Sequence, residues 1–139
     1  MIVLDTNVLS ELVRPVASDR VVSWLDAQTP GEVVTTAISK AEMLVGIAIL
    51  DEGKRRDQLS TIVSQLFAGR FDATLLDFDA AAATHFADIV AQRRKAGRPI
   101  GTMDAQIASI ARARAASIAT RDISDFSGLG IDLIDPWSL

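Results

Sequence analysis

Four acidic residues occupy positions at which carboxylates could take part in chemistry: Asp5, Glu42, Asp104 and Asp122. Each falls where a predicted strand ends or a predicted helix begins. If the strands are parallel, these positions share one edge of the sheet, and this edge is where ligands bind in such folds. Oxygen ligands without sulfur or imidazole select a hard cation, Mg²⁺ or Mn²⁺. The acids therefore predict a divalent-metal site that could also hold a phosphodiester.

Short apolar runs define the strands that would position these acids. Asp5 directly follows the first run and Asp122 closely follows the fourth. Glu42 is expected to open the helix after the second run, and Asp104 to lie in the first turn of the helix that leads to the fourth. Strands that alternate with helices predict an α/β fold, with a mostly parallel central sheet of about five strands flanked by helices. The five runs are Ile2–Leu4, Val33–Thr35, Leu75–Leu76, Ile118–Ala119 and Leu133–Ile134.

Each acid also has a purely structural interpretation. Ser39 and Glu42 have the spacing of a capping box, and Asp5 could cap a helix. Asp104 could complement a helix dipole and Asp122 could serve in a turn. Four such carboxylates on one edge are unfavourable together, because two of them ~4 Å apart repel by ~4 kcal/mol at an effective dielectric of 20. The set as a whole therefore favours a bound cation or a protonated carboxyl.

Composition limits the alternative chemistry. The 139 residues are expected to form one domain, residues 1–139. The chain has no cysteine, no tyrosine and one histidine, His85, which excludes thiolate nucleophiles, sulfur-ligated clusters and sites with several histidines. His85 is expected to serve in packing or at the surface of its predicted helix, which Asp79 would cap. Carboxylates, hydroxyls, amides and basic groups remain for the chemistry.

Charge is distributed unevenly along the chain. The formal net charge is −4, from 14 basic and 18 acidic residues, so without the four acids the remainder is formally neutral. Basic residues cluster just before Asp104, and one more precedes Asp122. We regard four arginines as candidates for contacts with the phosphates of such a phosphodiester: Arg93, Arg94, Arg98 and Arg121. The alternative for the cluster is a solvated helix C-terminus, where basic residues complement the dipole.

The N-terminus and the apolar runs lack the features of targeting signals. The first residues, Met1–Asp5, lack the basic start of a secretory signal. The longest apolar run, Met43–Leu50, is far shorter than the ~20 residues that span a bilayer. We therefore expect a cytoplasmic protein without membrane attachment.

The chain resembles the PIN-domain family, specifically the VapC-type toxins of bacterial toxin–antitoxin pairs and most closely the FitB-like branch. The similarity covers essentially the whole length, and the motifs keep the family's order and separation. The segments that carry it are Ile2–Ser10, Ser39–Gly46, Asp104–Ala108, Ala119–Asp122 and Asp135–Trp137.

The resemblance implies a Mg²⁺- or Mn²⁺-dependent endoribonuclease. It makes Asp5, Glu42, Asp104 and Asp122 the acidic quartet around the metal, and Thr6, Asn7 and Thr120 the polar residues that orient them. A metal-activated water would then cut RNA to leave a 5′-phosphate and a 3′-hydroxyl. One departure is Lys40, where many relatives have threonine or serine before the alanine–glutamate pair. Asp125, three residues after Asp122, could assist but is expected to be structural.

The resemblance also implies partners. Such toxins are neutralised by a cognate antitoxin that can place a basic side chain in the acidic site and that commonly binds operator DNA. They tend to be homodimers. The candidates for an antitoxin groove are Leu9, Leu12, Val13, Val45, Ile49 and Leu50, although core packing is an equal explanation for most of them.

Three other interpretations were considered. A haloacid-dehalogenase-type phosphatase needs an acid two residues after Asp5, where this chain has Asn7. A receiver-type signalling domain could use Asp77 as phosphoacceptor, but none of the three lysines follows a late strand as that fold requires. A catalytically silent PIN-like domain that binds metal and a partner remains the main alternative.

Overall fold

The computed structural model describes the backbone of residues 1–139 and every side chain except that of Ala73. Five strands alternate with seven α-helices, which confirms the predicted α/β fold with about five strands flanked by helices. The strands are β1 (Ile2–Leu4), β2 (Val33–Thr36), β3 (Leu75–Leu76), β4 (Ser117–Ala119) and β5 (Leu133–Ile134). The helices are α1 (Thr6–Leu12), α2 (Asp19–Asp26), α3 (Ala37–Ala48), α4 (Lys54–Ala68), α5 (Ala80–Lys95), α6 (Thr102–Ala113) and α7 (Ile123–Phe126), with a 3₁₀ turn at Asp72–Thr74.

All strand pairings are parallel, and the order across the sheet is β3-β2-β1-β4-β5. The chain moves outward from β1 to β3, then crosses to the other side of β1 to form β4 and β5. The sheet therefore has a topological switch point between β1 and β4. In open parallel sheets a ligand crevice forms at this point, outside the carboxyl ends of the strands.

Helices cover both faces of the sheet, because successive strand residues point to opposite sides. Leu4 and Val33 join one core, with α1 to α4, whereas Val3 and Val34 join the other, with α5 to α7. All four of these side chains are at most 7% exposed. Burial on both faces explains why the strands are continuous apolar runs rather than alternating ones.

The expectation about the start of the helix that carries Glu42 is wrong. The capping residue of α3 is Thr36, whose hydroxyl accepts the Ser39 N–H at 3.0 Å, so Ser39 and Glu42 do not form a capping box. Glu42 consequently lies in the middle of α3 rather than at its opening. Asp19 is the first residue of α2, and Ser18 occupies the N-cap position.

The helix lengths bear on any membrane attachment. No helix within the described part of the chain is both long enough and apolar enough to cross a bilayer.

Candidate active site

One cavity of about 380 Å³ lies at the carboxyl edge of the sheet, beside the switch point between β1 and β4. The structure brings together all four acids singled out in the sequence, although they come from four separate stretches of chain. The cavity is lined by Asp5, Glu42, Asp104 and Asp122, together with Thr6, Asn7 and Ser10.

Asp5 is the most buried of these acids, at 5% exposure. It ends β1 and is the N-cap of α1, with one carboxylate oxygen accepting the Thr6 N–H at 2.7 Å. The other oxygen accepts the Thr120 hydroxyl at 2.8 Å. The capping interpretation is thus correct for Asp5, but its second oxygen binds across to the segment after β4 and faces the shared cavity.

Thr120 links the two central strands at this edge. Besides donating to Asp5, its hydroxyl oxygen accepts the Asn7 side-chain amide at 3.1 Å and the Asp122 N–H at 3.0 Å. Asn7 also donates to an Asp122 carboxylate oxygen at 3.1 Å. These bonds fix Asp5 and Asp122 relative to each other.

Glu42 reaches the cavity from the middle of α3, where its carboxylate accepts the Thr6 hydroxyl. Thr6 therefore connects the first turn of α1 to α3. Each polar residue assigned an orienting role by the family resemblance bonds at least one of the four carboxylates: Thr6, Asn7 and Thr120.

Burial and mutual repulsion perturb two of the acids. Burial raises the pKa of Asp5 to about 6, and the negative charges of Asp104 and Glu42 add to the rise, against the hydrogen bonds from Thr120 and Thr6. The pKa of Asp104 is also raised, first by burial and then by the charges of Glu42, Asp125 and Asp122. The cavity thus concentrates negative charge in a partly desolvated place.

The donor set fits a hard divalent cation. All four acids offer oxygen, no sulfur or imidazole competes, and a cation would relieve the repulsion that raises the pKa values of Asp5 and Asp104. Within the described side chains, however, no three acidic or histidine groups already converge as metal ligands. The residue types therefore fit Mg²⁺ or Mn²⁺, and Mg²⁺ usually keeps several water ligands in proteins.

The four candidate arginines have different environments. Arg94 and Arg98 are exposed near the C-terminus of α5, and the exposed Arg121 guanidinium lies 4.1 Å from the centre of the Trp137 ring. Arg93 is only 5% exposed and donates to the carbonyls of Asp125 and Ser127. Because of this burial and these bonds, its guanidinium is not available to RNA. The prediction of an RNA contact at Arg93 is therefore wrong, since a run of charges at a helix end need not all face solvent.

A second, more apolar cavity of about 510 Å³ runs between α1, α3 and α4 and shares Thr6, Ser10 and Glu42 with the acidic one. Of the apolar groove candidates, Val13 and Leu50 line it. Leu9 is fully buried and Leu12 packs against the same core. The other two, Val45 and Ile49, are exposed on α3 but do not line the groove.

Sequence reasoning missed one residue of the cavity, Ser10, and expected a second residue near it, Asp125, to be structural. Ser10 lines the cavity, and its spacing of four from Thr6 on a helix is the signal that could have identified it. Asp125 is close enough to raise the pKa of Asp104, so the negative field of the site extends into α7. Asp125 follows Asp122 by three residues, which is one turn of a helix.

The rival phosphoryl-transfer interpretations find little support in the geometry. Asp77 follows the edge strand β3, is exposed and does not line the acidic cavity. Asn7 uses its amide as a hydrogen-bond donor to Thr120 and Asp122, which an acid in that place could not do when ionised. His85 lies half-buried on α5 rather than at this edge.

Comparison with known proteins agrees with this architecture. The chain is 41% identical to the VapC ribonuclease Y4jK of Sinorhizobium fredii, over 99% of this chain and 98% of the relative. It is 36% identical to the toxin FitB of Neisseria gonorrhoeae, over 99% of both. A solved structure of FitAB bound to the IR36 DNA fragment superposes with a TM-score of 0.91 at 37% identity, covering 100% of this chain and 97% of that one. Residues 2–130 match the PIN domain, and the chain belongs to the PIN-domain family.

Proposed function

We propose that the protein is the toxin of a toxin–antitoxin pair and acts as a Mg²⁺- or Mn²⁺-dependent endoribonuclease. The observation that carries this proposal is the meeting of four carboxylates from distant chain segments in one cavity, without cysteine or clustered histidine to offer another chemistry. Similarity to a VapC ribonuclease and to the toxin FitB supports the same assignment. The cytoplasm is the proposed site of action, because the substrate is RNA.

The four carboxylates, Asp5, Glu42, Asp104 and Asp122, are the proposed metal ligands and catalytic residues. A cation held by these carboxylates would supply an acidified water molecule for attack on phosphorus and positive charge opposite the phosphoryl oxygens. The protein orients the ligands: Thr120 holds Asp5, Thr6 holds Glu42 and Asn7 holds Asp122. In-line attack leaves a 5′-phosphate and a 3′-hydroxyl.

The cut RNA must lie across an edge that is itself acidic, so nearby cations are needed to hold its backbone. Arg94, Arg98 and Arg121 are exposed and remain the proposed phosphate contacts. Arg121 follows Thr120 directly, and its guanidinium stacks on Trp137, which leaves the edges of the fork free to bind phosphate oxygens.

The assignment is tested by substituting the acids. Expression of the protein alone should stop growth, and Asp5→Asn or Asp104→Asn should restore it. Purified wild type should cut RNA with Mn²⁺ and not with EDTA, giving 5′-phosphate ends. Asp132→Asn is the matched control, because Asp132 is exposed at the amino end of β5, remote from the cavity. If the Asp5 and Asp104 variants are as toxic and as active as wild type, the proposal is wrong. Mn²⁺ binding without RNA cleavage would instead support the catalytically silent alternative.

We further propose that the antitoxin occupies the apolar groove between α1, α3 and α4. The groove opens into the acidic cavity through Thr6, Ser10 and Glu42, so a segment bound there could extend a basic side chain to the carboxylates. The likeness to the FitAB complex supports an antitoxin partner, and contact with operator DNA is proposed only through that partner.

Val13→Asp should abolish co-purification with the antitoxin encoded beside this chain and leave RNA cleavage intact. Val16→Asp is the control, since Val16 is 84% exposed and does not line the groove. Equal capture by both variants would refute the groove assignment. The protein is also proposed to be a homodimer, which sedimentation of the purified toxin tests directly.

A further inference from the structure

Helix α7 carries the fourth carboxylate but is very short. It spans only Ile123–Phe126, and Asp122 occupies its N-cap position without a side-chain capping bond. A single helical turn fixes several backbone dihedrals for one hydrogen bond, so it is not stable by itself. Its terminal carbonyls also lack partners within the helix. The orientation of Asp122 therefore depends on contacts from elsewhere in the fold.

Those contacts come from the C-terminal end of α5 and the loop that follows it. One guanidinium nitrogen of Arg93 donates to the carbonyl of Asp125 at 2.6 Å and to that of Ser127 at 3.0 Å. Gln92 donates to the carbonyl of Gly128 at 2.7 Å. Arg98 donates to the carbonyl of Ser124 at 3.0 Å. Three side chains from one segment thus bind four backbone carbonyls of residues 124–128.

Arg93 is the central member of this group because it is buried. Its side chain is 5% exposed, and among the described residues it forms no ion pair with a carboxylate. A buried charge without such a partner is costly unless it is hydrogen-bonded, and here the two carbonyls supply the bonds. Both bonds come from the same terminal nitrogen, whose two N–H groups are held at a fixed angle in the guanidinium plane. The Arg93 charge and the carbonyls of the segment that begins at Asp122 therefore satisfy each other's hydrogen bonds.

The backbone connects this clamp to the cavity. The Asp125 N–H donates to the Asp122 carbonyl at 3.0 Å, and the Asp122 carboxylate accepts from Asn7 at 3.1 Å. Phe126, 1% exposed, anchors the same turn in the core. Without the Arg93 contacts, α7 would keep only its core anchor and the exposed bonds from Gln92 and Arg98. Asp122 would then be less firmly oriented in the cavity, because its bonds with Asn7 and Thr120 would have to hold it without a fixed helix behind it.

We propose that Arg93, assisted by Gln92 and Arg98, is a positioning residue that holds α7 so that Asp122 faces the metal cavity. This inference rests on the proposed metal-dependent function. It replaces an RNA-binding role for Arg93 with an indirect role in metal binding.

Arg93→Lys is the main test because it keeps the charge but removes the terminal guanidinium nitrogen that binds both carbonyls. We expect Mn²⁺ affinity, measured by electron paramagnetic resonance titration, to fall about 10-fold, as it does when groups that orient metal ligands are changed. Amide hydrogen exchange in residues 122–128 should accelerate, while exchange in β1 and α1 stays as in wild type. Binding of a fluorescein-labelled single-stranded oligoribonucleotide in EDTA should not change.

Arg94→Ala is the matched comparison, since Arg94 is the adjacent arginine and is exposed. It should weaken oligoribonucleotide binding and leave Mn²⁺ affinity unchanged, the reverse of the Arg93 variant. If Arg93→Lys fails to fold, Gln92→Ala decides, with a smaller loss of Mn²⁺ affinity in the same direction.

Two results overturn the inference. If Arg93→Lys binds Mn²⁺ as tightly as wild type does, the inference is refuted and the proposed function stays intact. The same holds for Gln92→Ala where that variant decides. Absence of Mn²⁺ binding by the wild-type protein refutes the proposed function, and the inference with it.

Discussion

The raised pKa of Asp5 makes a quantitative prediction about the stability of the metal-free protein. The folded state shifts this pKa from 3.8 to about 6, because the carboxyl is buried near other negative charges. The folded protein therefore binds the Asp5 proton more tightly than the unfolded chain. The stabilisation is complete below the unfolded pKa and is lost as the pH rises through about 6.

The magnitude follows from the size of the shift. At 1.36 kcal/mol for each pKa unit, ionisation of Asp5 removes about 3 kcal/mol of the free energy of unfolding by pH 8. Asp5→Asn stays neutral and avoids this loss. The amide, however, must place a donor where the carboxylate accepts from Thr120 or from the Thr6 N–H, at a cost of about 1 kcal/mol. The variant should thus be about 2 kcal/mol more stable than wild type at pH 8, lose this advantage between about pH 5 and pH 4, and be about 1 kcal/mol less stable at still lower pH.

Urea unfolding followed by circular dichroism in EDTA measures this difference across the pH range. The lowered pKa of Glu11, which is bonded by the Ser18 N–H and by Arg14, affects both proteins equally and cancels in the comparison. Asp132→Asn should follow the wild-type curve. The result that would contradict this prediction is a free energy of unfolding that changes in parallel for wild type and Asp5→Asn between pH 4 and pH 8. Such curves would show that burial does not oppose the ionisation of Asp5.

Four further predictions concern other parts of the molecule. Mn²⁺ binding near pH 6 should release about half a proton from Asp5, seen by calorimetry in buffers of different ionisation enthalpy, and no proton release would contradict its role as a ligand. Thr120→Val should weaken Mn²⁺ binding about 10-fold, whereas Thr120→Ser should retain most of it; equal effects would exclude the hydroxyl as the cause. Ile118→Ala, at a fully buried position of β4, should lower the free energy of unfolding by about 2–5 kcal/mol in urea titrations, and a loss under ~1 kcal/mol would contradict close packing there. Arg94→Ala should reduce the salt dependence of oligoribonucleotide binding by about one phosphate contact, and an unchanged salt slope would remove it from the RNA surface.

The sequence predicts most of the fold because the strands are buried on both faces. Such strands appear as continuous apolar runs, and all five runs correspond to strands within one residue at each end. The acids that follow strands directly are equally predictable, since Asp5 must lie at the edge where β1 ends. Chain order alone does not give the pairing of β1 with β4, yet this pairing brings Asp122 to Asp5.

The wrong predictions, for Glu42 and Arg93, come from local sequence patterns that tertiary contacts override. Thr36 and Ser39 are both good N-cap residues, and the strand extends far enough for Thr36 to take the position, which moves Glu42 to the helix middle. Arg93 belongs to a run of charges at a helix end, where exposure is the usual outcome. The face of α5 that carries it is covered by the α7 segment, whose carbonyls need donors. Nothing within the run distinguishes Arg93 from Arg94.

Two kinds of interaction have opposite effects on the pKa of Asp5, and the balance between them determines the charge of the cavity. Hydrogen bonds from Thr120 and Thr6 favour the ionised form of Asp5, but burial and the neighbouring carboxylates outweigh them and raise its pKa. The residues that orient the acids therefore do not neutralise them. An arginine placed among the carboxylates would have removed the repulsion and with it the driving force for a cation. In this chain the buried Arg93 is instead bound to the carbonyls of Asp125 and Ser127, so it holds the α7 segment and forms no ion pair with the carboxylates of the cavity.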